Sequence, residues 1–139
     1  MSDTTLAHLR VPPHSLEAEQ SVLGGLLLDN AAFDKIADVM AEGDFYRDEH
    51  KRIYRQIRKL LERGKPADAV TVAEGLDLAG EGNATGGLAY LGELAANTPS
   101  AANIRRYAEI VRERAILRLL VTAGDEIAGS ALNPLGRDA

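Results

Sequence analysis

From Ser100 to about Ser130 the chain holds one uninterrupted helical pattern, without proline and with only two late glycines, Gly124 and Gly129. At 1.5 Å per residue such a run makes a rod of roughly 45 Å, whereas a compact domain of this size is only about 30 Å across. The length therefore predicts a helix that projects beyond its globule. A projecting helix with apolar residues on it needs a partner, which points to assembly rather than catalysis. The pattern ends at Asn133-Pro134-Leu135-Gly136, a stop and turn signal. The chain reads as part of a longer protein, cut at a hairpin bend.

The long helix divides in two. Ile104, Tyr107, Ala108, Val111 and Ala115 share one face and suit packing on a globule. Ile116, Leu120, Ala123 and Ile127 follow at spacings of a short coiled-coil seam, a candidate self-association surface. The alternative reading is a core helix with a solvated back.

Upstream, residues 1–14 end in Pro12-Pro13 and read as a flexible, extended arm. Ser15 can cap a first helix, with Glu17 and Glu19 complementing its dipole and Val22, Leu23, Leu26 and Leu27 on its buried side. Gly24-Gly25 inside it costs helix propensity and hints at close approach by a neighbouring helix. Asn30 can cap a second helix carrying Phe33, Ile36, Ala37 and Met40, closed by Gly43. A third runs from about Asp48 to Gly64 over Ile53, Tyr54, Ile57, Leu60 and Leu61. Asp68 starts a shorter fourth through Val72 and Leu76, and 80–87 is a loop by composition. Leu88, Leu91, Leu94 and Ala95 mark a fifth, stopped at Asn97-Thr98-Pro99, and Ser100 opens the sixth. No stretch alternates with period two, so the fold class is all-α. A bundle of about five helices spans 15–99, and a long helix with the start of a hairpin turn spans 100–139.

Composition bounds the function. The formal net charge of −5 weighs against a sequence-independent grip on nucleic acid, which needs a basic face. The absence of cysteine excludes disulfides, thiolate catalysis and cysteine zinc sites. Residues 1–10 lack an apolar signal core, and no apolar stretch approaches the ~20 residues of a membrane span. The expected location is cytoplasmic, with no membrane partner.

Signals for chemistry are weak. Gly64-Lys65 is followed by Pro66, so there is no phosphate-cradling P-loop, and no serine stands in G-x-S-x-G. Asp44, Asp48, Glu49 and His50 lie close in sequence and could hold a divalent metal, but such residues more often complement a helix start. Lys51, Arg55, Arg58 and Lys59 form a basic stripe within 47–63 and are candidate phosphate contacts. They lack the interleaved aromatics of a single-strand binder.

The stretch Val11-Pro12-Pro13-His14-Ser15-Leu16-Glu17-Ala18-Glu19-Gln20-Ser21-Val22-Leu23-Gly24-Gly25 resembles the opening of bacterial replicative DNA helicases of the DnaB family. Asp44-Phe45-Tyr46, residues 68–72, Gly86-Gly87-Leu88-Ala89-Tyr90-Leu91, residues 97–103 and Ile110-Val111-Arg112-Glu113-Arg114 fit in order. The resemblance covers about 11–137. It implies the helical N-terminal domain, a small bundle followed by a helical hairpin. Six copies then pair as a trimer of dimers, in a collar that docks the C-terminal domain of primase and engages a helicase loader. It implies a separate motor that uses ATP and Mg to travel on DNA, with no cofactor in this part. It also places Glu17 and Tyr90 where changes disturb coupling to primase. The sequence departs from the family in carrying no Walker motif and no second hairpin arm.

The expected function is thus non-catalytic scaffolding and docking. The rivals are a nucleic-acid module on helix 47–63 and a small metal-dependent enzyme using Asp44, Asp48, Glu49 and His50.

Overall fold

The computed structural model describes residues 11–134. Its helices are α1 (Leu16–Leu28), α2 (Phe33–Ile36), α3 (Asp48–Glu62), α4 (Ala69–Leu78), α5 (Gly82–Thr85), α6 (Gly87–Asn97) and α7 (Ile104–Leu132), and no strand occurs among the described residues. The all-α expectation holds. Residues 1–10 of the expected arm and residues 135–139, where a hairpin turn is expected, lie outside the described part.

Helix α1 is the central element, packed on α7, α6 and α3. Its Ser15 Oγ accepts from the Ala18 N–H at 3.2 Å, the cap that the sequence implies. Val22, Leu23 and Leu26 are fully buried. Opposite them lie Ile53 and Ile57 of α3, Leu76 of α4, Leu91 of α6 and Ile104, Ala108 and Val111 of α7, all in one core. Full burial of each such aliphatic side chain contributes about 1.5–3 kcal/mol.

Gly24 lets α1 meet the end of α6. A Cβ there would fall 2.0 Å from Thr98 Oγ1 and 2.5 Å from the Leu94 carbonyl oxygen. The close approach hinted at by Gly24-Gly25 is therefore a helix crossing. Helix α3 ends where Gly64 takes φ +71°, with Lys65 N–H donating to Leu60 O at 2.9 Å and Gly64 N–H to Leu61 O at 3.0 Å. Asp68 and Thr71 then cap α4 reciprocally, at 2.8 and 2.9 Å.

Several local expectations are corrected. Asp29, not Asn30, caps the turn that leads into α2, through Oδ1 and the Ala31 N–H at 3.0 Å. Asn30 instead clamps the chain between α3 and α4. It donates to Leu26 O at 2.9 Å and Ala67 O at 2.8 Å, and accepts from Ala67 N–H at 3.0 Å. The second helix is only the single turn of α2 flanked by 3-10 turns, and the 80–87 loop contains the turn α5. The long helix starts at Ile104 rather than Ser100.

Helix α7 has the two halves expected of it. Ile104, Ala108, Val111 and Ala115 are buried, whereas residues 119–129 are all exposed. The last anchor is Arg118. It donates to Pro13 O at 2.8 Å and Asp44 O at 2.7 Å, and lies over the Tyr46 ring at 5.4 Å. His14 also stacks on Tyr46, ring centres 4.3 Å apart. Beyond Arg118 the helix continues for about 21 Å.

Gly24→Ala is expected to cost about 1–3 kcal/mol, because backbone as well as side chain must give way. Gly92→Ala, at a helical glycine whose Cβ would meet nothing within 4 Å, should add about 0.5–1 kcal/mol. Urea denaturation of both variants checks this, and equal effects at the two sites would refute the crossing argument.

Candidate functional site

Two carboxylates of α1 have opposite fates. Glu17 is exposed, but Glu19 is 1 % exposed. Glu19 Oε2 accepts from the Tyr46 N–H at 2.7 Å, and Oε1 from the Arg47 N–H at 3.4 Å and from His50 Nδ1 at 2.8 Å. His50, fully buried, reaches through Nε2 to the Tyr90 hydroxyl at 2.6 Å, and Gln20 Nε2 donates to that hydroxyl at 3.3 Å. The His50 and Tyr90 rings lie nearly parallel, 6° apart. One polar chain thus runs from α1 through α3 to α6. Among the described residues, every buried side-chain nitrogen and oxygen has a hydrogen-bond partner.

That chain ends in a cleft of about 300 Å³ between α1 and α6, lined by Glu17, Gln20, Ser21, Tyr90, Glu93, Leu94, Asn97 and Thr98. Glu17 and Tyr90, far apart in sequence, share it. Its lining carries two carboxylates, two amides and three hydroxyls, and no cation. Burial pushes the Tyr90 phenol up from its ordinary value of 10.0, so it remains a hydroxyl at neutral pH.

The four residues of the rival metal reading turn apart. His50 faces inward. Asp44 accepts from the Ala41 N–H at 2.8 Å and from Arg112 at 2.9 Å. Asp48 pairs with Arg52 at 2.8 Å, and Glu49 pairs with Arg47. No group of three potential ligands is gathered for a metal among the described residues.

The basic stripe is largely neutralised. Arg55 donates twice to Glu42 Oε2, at 2.9 and 2.7 Å, and Arg58 lies 3.4 Å from Glu42 and 3.6 Å from Glu62. Glu81 lies 3.8 Å from Arg55 and 3.4 Å from Arg52. The Arg55 hydrogen bond holds the Glu42 carboxyl below its ordinary value, against the opposing effect of burial. Lys51 and Lys59 have no ion-pair partner among the described residues, but two lysines make a small phosphate footprint.

The distal arm of α7 is different in kind. Ile116, Leu120 and Ile127 of the seam are exposed, together with Leu117, Leu119, Val121 and Leu132. Seven of the thirteen exposed large apolar residues in the described part stand on this one helix. Ala123 is exposed between them. So many exposed apolar residues on one helix are unusual for the surface of a lone domain.

Sequence reasoning missed the Glu19–His50–Tyr90 chain, although the signal was present. Glu19 precedes Val22, Leu23 and Leu26 at helical spacing, and His50 precedes Ile53, Tyr54 and Ile57 likewise. Each polar residue heads an apolar stripe and so points into the core. Glu19→Ala should leave His50 Nδ1 and the Tyr46 N–H without partners and destabilise the chain by about 1–3 kcal/mol. Denaturant titration measures it, and a loss below about 0.5 kcal/mol would mean water replaces the carboxylate.

Comparison with known proteins adds the relatives. Residues 11–113 match the model of the DnaB-like helicase N terminal domain. A replicative DNA helicase DnaB from Haemophilus influenzae is 44% identical over 137 residues, which is 99% of this chain and 29% of that protein. The chain thus spans under a third of that relative's length. The crystal structure of the N-terminal domain of DnaB helicase from Mycobacterium tuberculosis superposes with a TM-score of 0.85 at 47% identity, covering 88% of this chain and 85% of that one. The N-terminal domain of DnaB helicase from Helicobacter pylori, described with its interactions with primase, gives a TM-score of 0.68 at 23% identity over 94% of this chain and 98% of that one. The last likeness is one of fold.

Proposed function

We propose, from the premise that this chain belongs to the DnaB-like helicase N terminal domain family, that it is the docking and assembly domain of a replicative DNA helicase. The observation that carries this reading is the cleft between α1 and α6, in which Glu17 and Tyr90 meet. A polar, half-open cleft on a rigid bundle suits a reversible partner. The partner in this reading is the C-terminal domain of primase, as the Helicobacter pylori relative is described with primase, and a helicase loader engages the same collar. The second surface is the α7 arm. Its apolar seam of Ile116, Leu120, Ala123 and Ile127 suits a second copy of the chain, with dimers arranged threefold in a hexamer.

Unwinding of DNA, with ATP and Mg, belongs in this reading to a motor segment outside the span matched here. The domain works in the cytoplasm, and no described helix is long and apolar enough to cross a membrane. It contributes by mass action: docking sites repeated around a ring hold several primase domains close to the fork. The rival nucleic-acid reading finds less support, because Arg55 and Arg58 already face Glu42.

Calorimetric titration of the chain with the primase C-terminal domain tests the docking role. Glu17→Gln, at an exposed position, should weaken binding about tenfold or more, a loss of about 1.4 kcal/mol, with only a small fall in Tm from the lost dipole partner. Failure of the unaltered chain to bind at millimolar concentration would refute the role for this chain. Assembly is tested separately by sedimentation equilibrium. The double change Leu120→Asp with Ile127→Asp should abolish concentration-dependent dimerisation and leave helicity intact, and an unchanged dimer would place the contact elsewhere.

A further inference from the structure

We propose that the groove between the end of α3 and the flank of α4 is a further interaction surface, which takes a short acidic segment of a partner protein and seats one large apolar side chain of it between the two helices. The groove is separate from the cleft of α1 and α6 and from the α7 arm, and the inference rests on neither.

The groove comes from one residue choice. Helices α3 and α4 pack side by side, and Gly75 stands within α4. A Cβ there would fall 2.0 Å from Gln56 Nε2 and 2.6 Å from its Cδ, so Gln56 lies against the bare α4 backbone. A glycine inside a helix costs stability, and here it leaves open a groove of about 320 Å³. That is near the lower end of ligand pockets, about 300–1,000 Å³, and suits an inserted side chain rather than the face of a folded domain. Its apolar walls are Leu60 of α3, Pro66 of the connecting turn and Leu78 of α4. Leu78 is 84 % exposed, so covering it removes apolar area from water.

The charge around the groove selects the partner. Arg63 and Lys65 line it, and Lys59 precedes Arg63 by one turn of α3. None of these three has an ion-pair partner among the described residues, whereas Arg52, Arg55 and Arg58 of the same helix are matched to carboxylates. The end of α3 does not use their charge to satisfy its carbonyls, because the backbone N–H groups of Lys65 and Gly64 already take Leu60 O and Leu61 O. In a chain of formal net charge −5, this is an unmatched cationic corner. The one carboxylate on the groove is Glu74 of α4. A bound segment therefore has a polarity, with its acidic residues toward Arg63 and Lys65 and its apolar side chain toward Leu78. A nucleic-acid strand fits less well. No aromatic ring lines the groove for a base to stack on, and Glu74 repels phosphate.

The test pans a phage-displayed library of random peptides against the unaltered chain. The selected sequences are then titrated as synthetic peptides into the labelled chain and followed by backbone NMR. The expected peptides join a large apolar residue to a run of aspartate or glutamate. Their shifts should centre on 56–65 and 71–78, and their affinity should fall with added salt. Arg63→Glu with Lys65→Glu should weaken binding about tenfold or more, and Leu78→Ser about tenfold. All three positions are exposed, so Tm should barely change. The proposal is overturned if no peptide is selected, if the selected peptides lack acidic residues, if their shifts fall on the α1–α6 cleft or on α7, or if neither variant weakens them. An oligothymidine that shifts 56–65 at lower concentration than the peptides do would assign the groove to nucleic acid instead. Loss of self-association in Leu78→Ser, read by sedimentation equilibrium, would assign it to a second copy of the chain. Either outcome overturns the peptide assignment.

Discussion

The bundle is organised around a buried carboxylate. Glu19 sits among aliphatic side chains, where an unpaired charge would cost several kcal/mol. That cost is avoided only if three things hold together: the Phe45–Arg47 segment presents its backbone N–H groups, α3 begins close enough for His50 to face inward, and α6 brings Tyr90 against the ring. Aliphatic burial tolerates small slips, since it depends on area and not on direction. The polar chain does not, because each bond has one partner and one length. It therefore fixes how α1, α3 and α6 sit relative to one another, while the surrounding leucines and isoleucines supply most of the driving force.

The long helix obeys a second constraint. Its buried stripe runs from Ile104 to Ala115, and the bundle has no surface left for it after Arg118. The guanidinium closes the contact by taking carbonyls from two separate segments, Pro13 and Asp44, and by lying on Tyr46. This fixes where the arm leaves the globule and in which direction. A free rod with Leu119, Leu120, Val121 and Ile127 in water is unfavourable by itself, and pairing removes that exposure. The arm is therefore anchored at its root.

Much of this was legible in the sequence, for a physical reason. Helical periodicity, Ser15 and Asp68 as caps, the Gly24-Gly25 crossing and the two halves of the long helix are local properties, written in neighbouring residues. The failures share a non-local cause. Glu19 read as a dipole partner because its true partner, His50, lies on another helix. Asn30 read as a cap, but its bonds go to Ala67 beyond α3. Arg55 and Arg58 read as a basic stripe because Glu42 and Glu81, which neutralise them, arrive from other turns of the fold. A charge pattern along one helix says little until the facing elements are known. Helix spacing did carry one hint: a glutamate or histidine at the head of an apolar stripe is aimed at the core.

The pairing of the arginines also explains why two other features dominate the surface. Arg47, Arg52, Arg55 and Arg58 are matched to carboxylates, so the positive charge of the α3 face is much reduced. What stands out is a small acceptor-rich cleft and a long apolar rod. Their physics differs. The rod gains by excluding water over a continuous area, which favours lasting contact between like chains. The cleft gains by a few directed bonds at one edge, which favours a partner that comes and goes. Both surfaces are built on α1 and its contacts, so a ring held together by the rods would carry its clefts at fixed spacing. The cleft and the root of the rod are then both consequences of one helix being placed correctly, and the buried Glu19 is what places it.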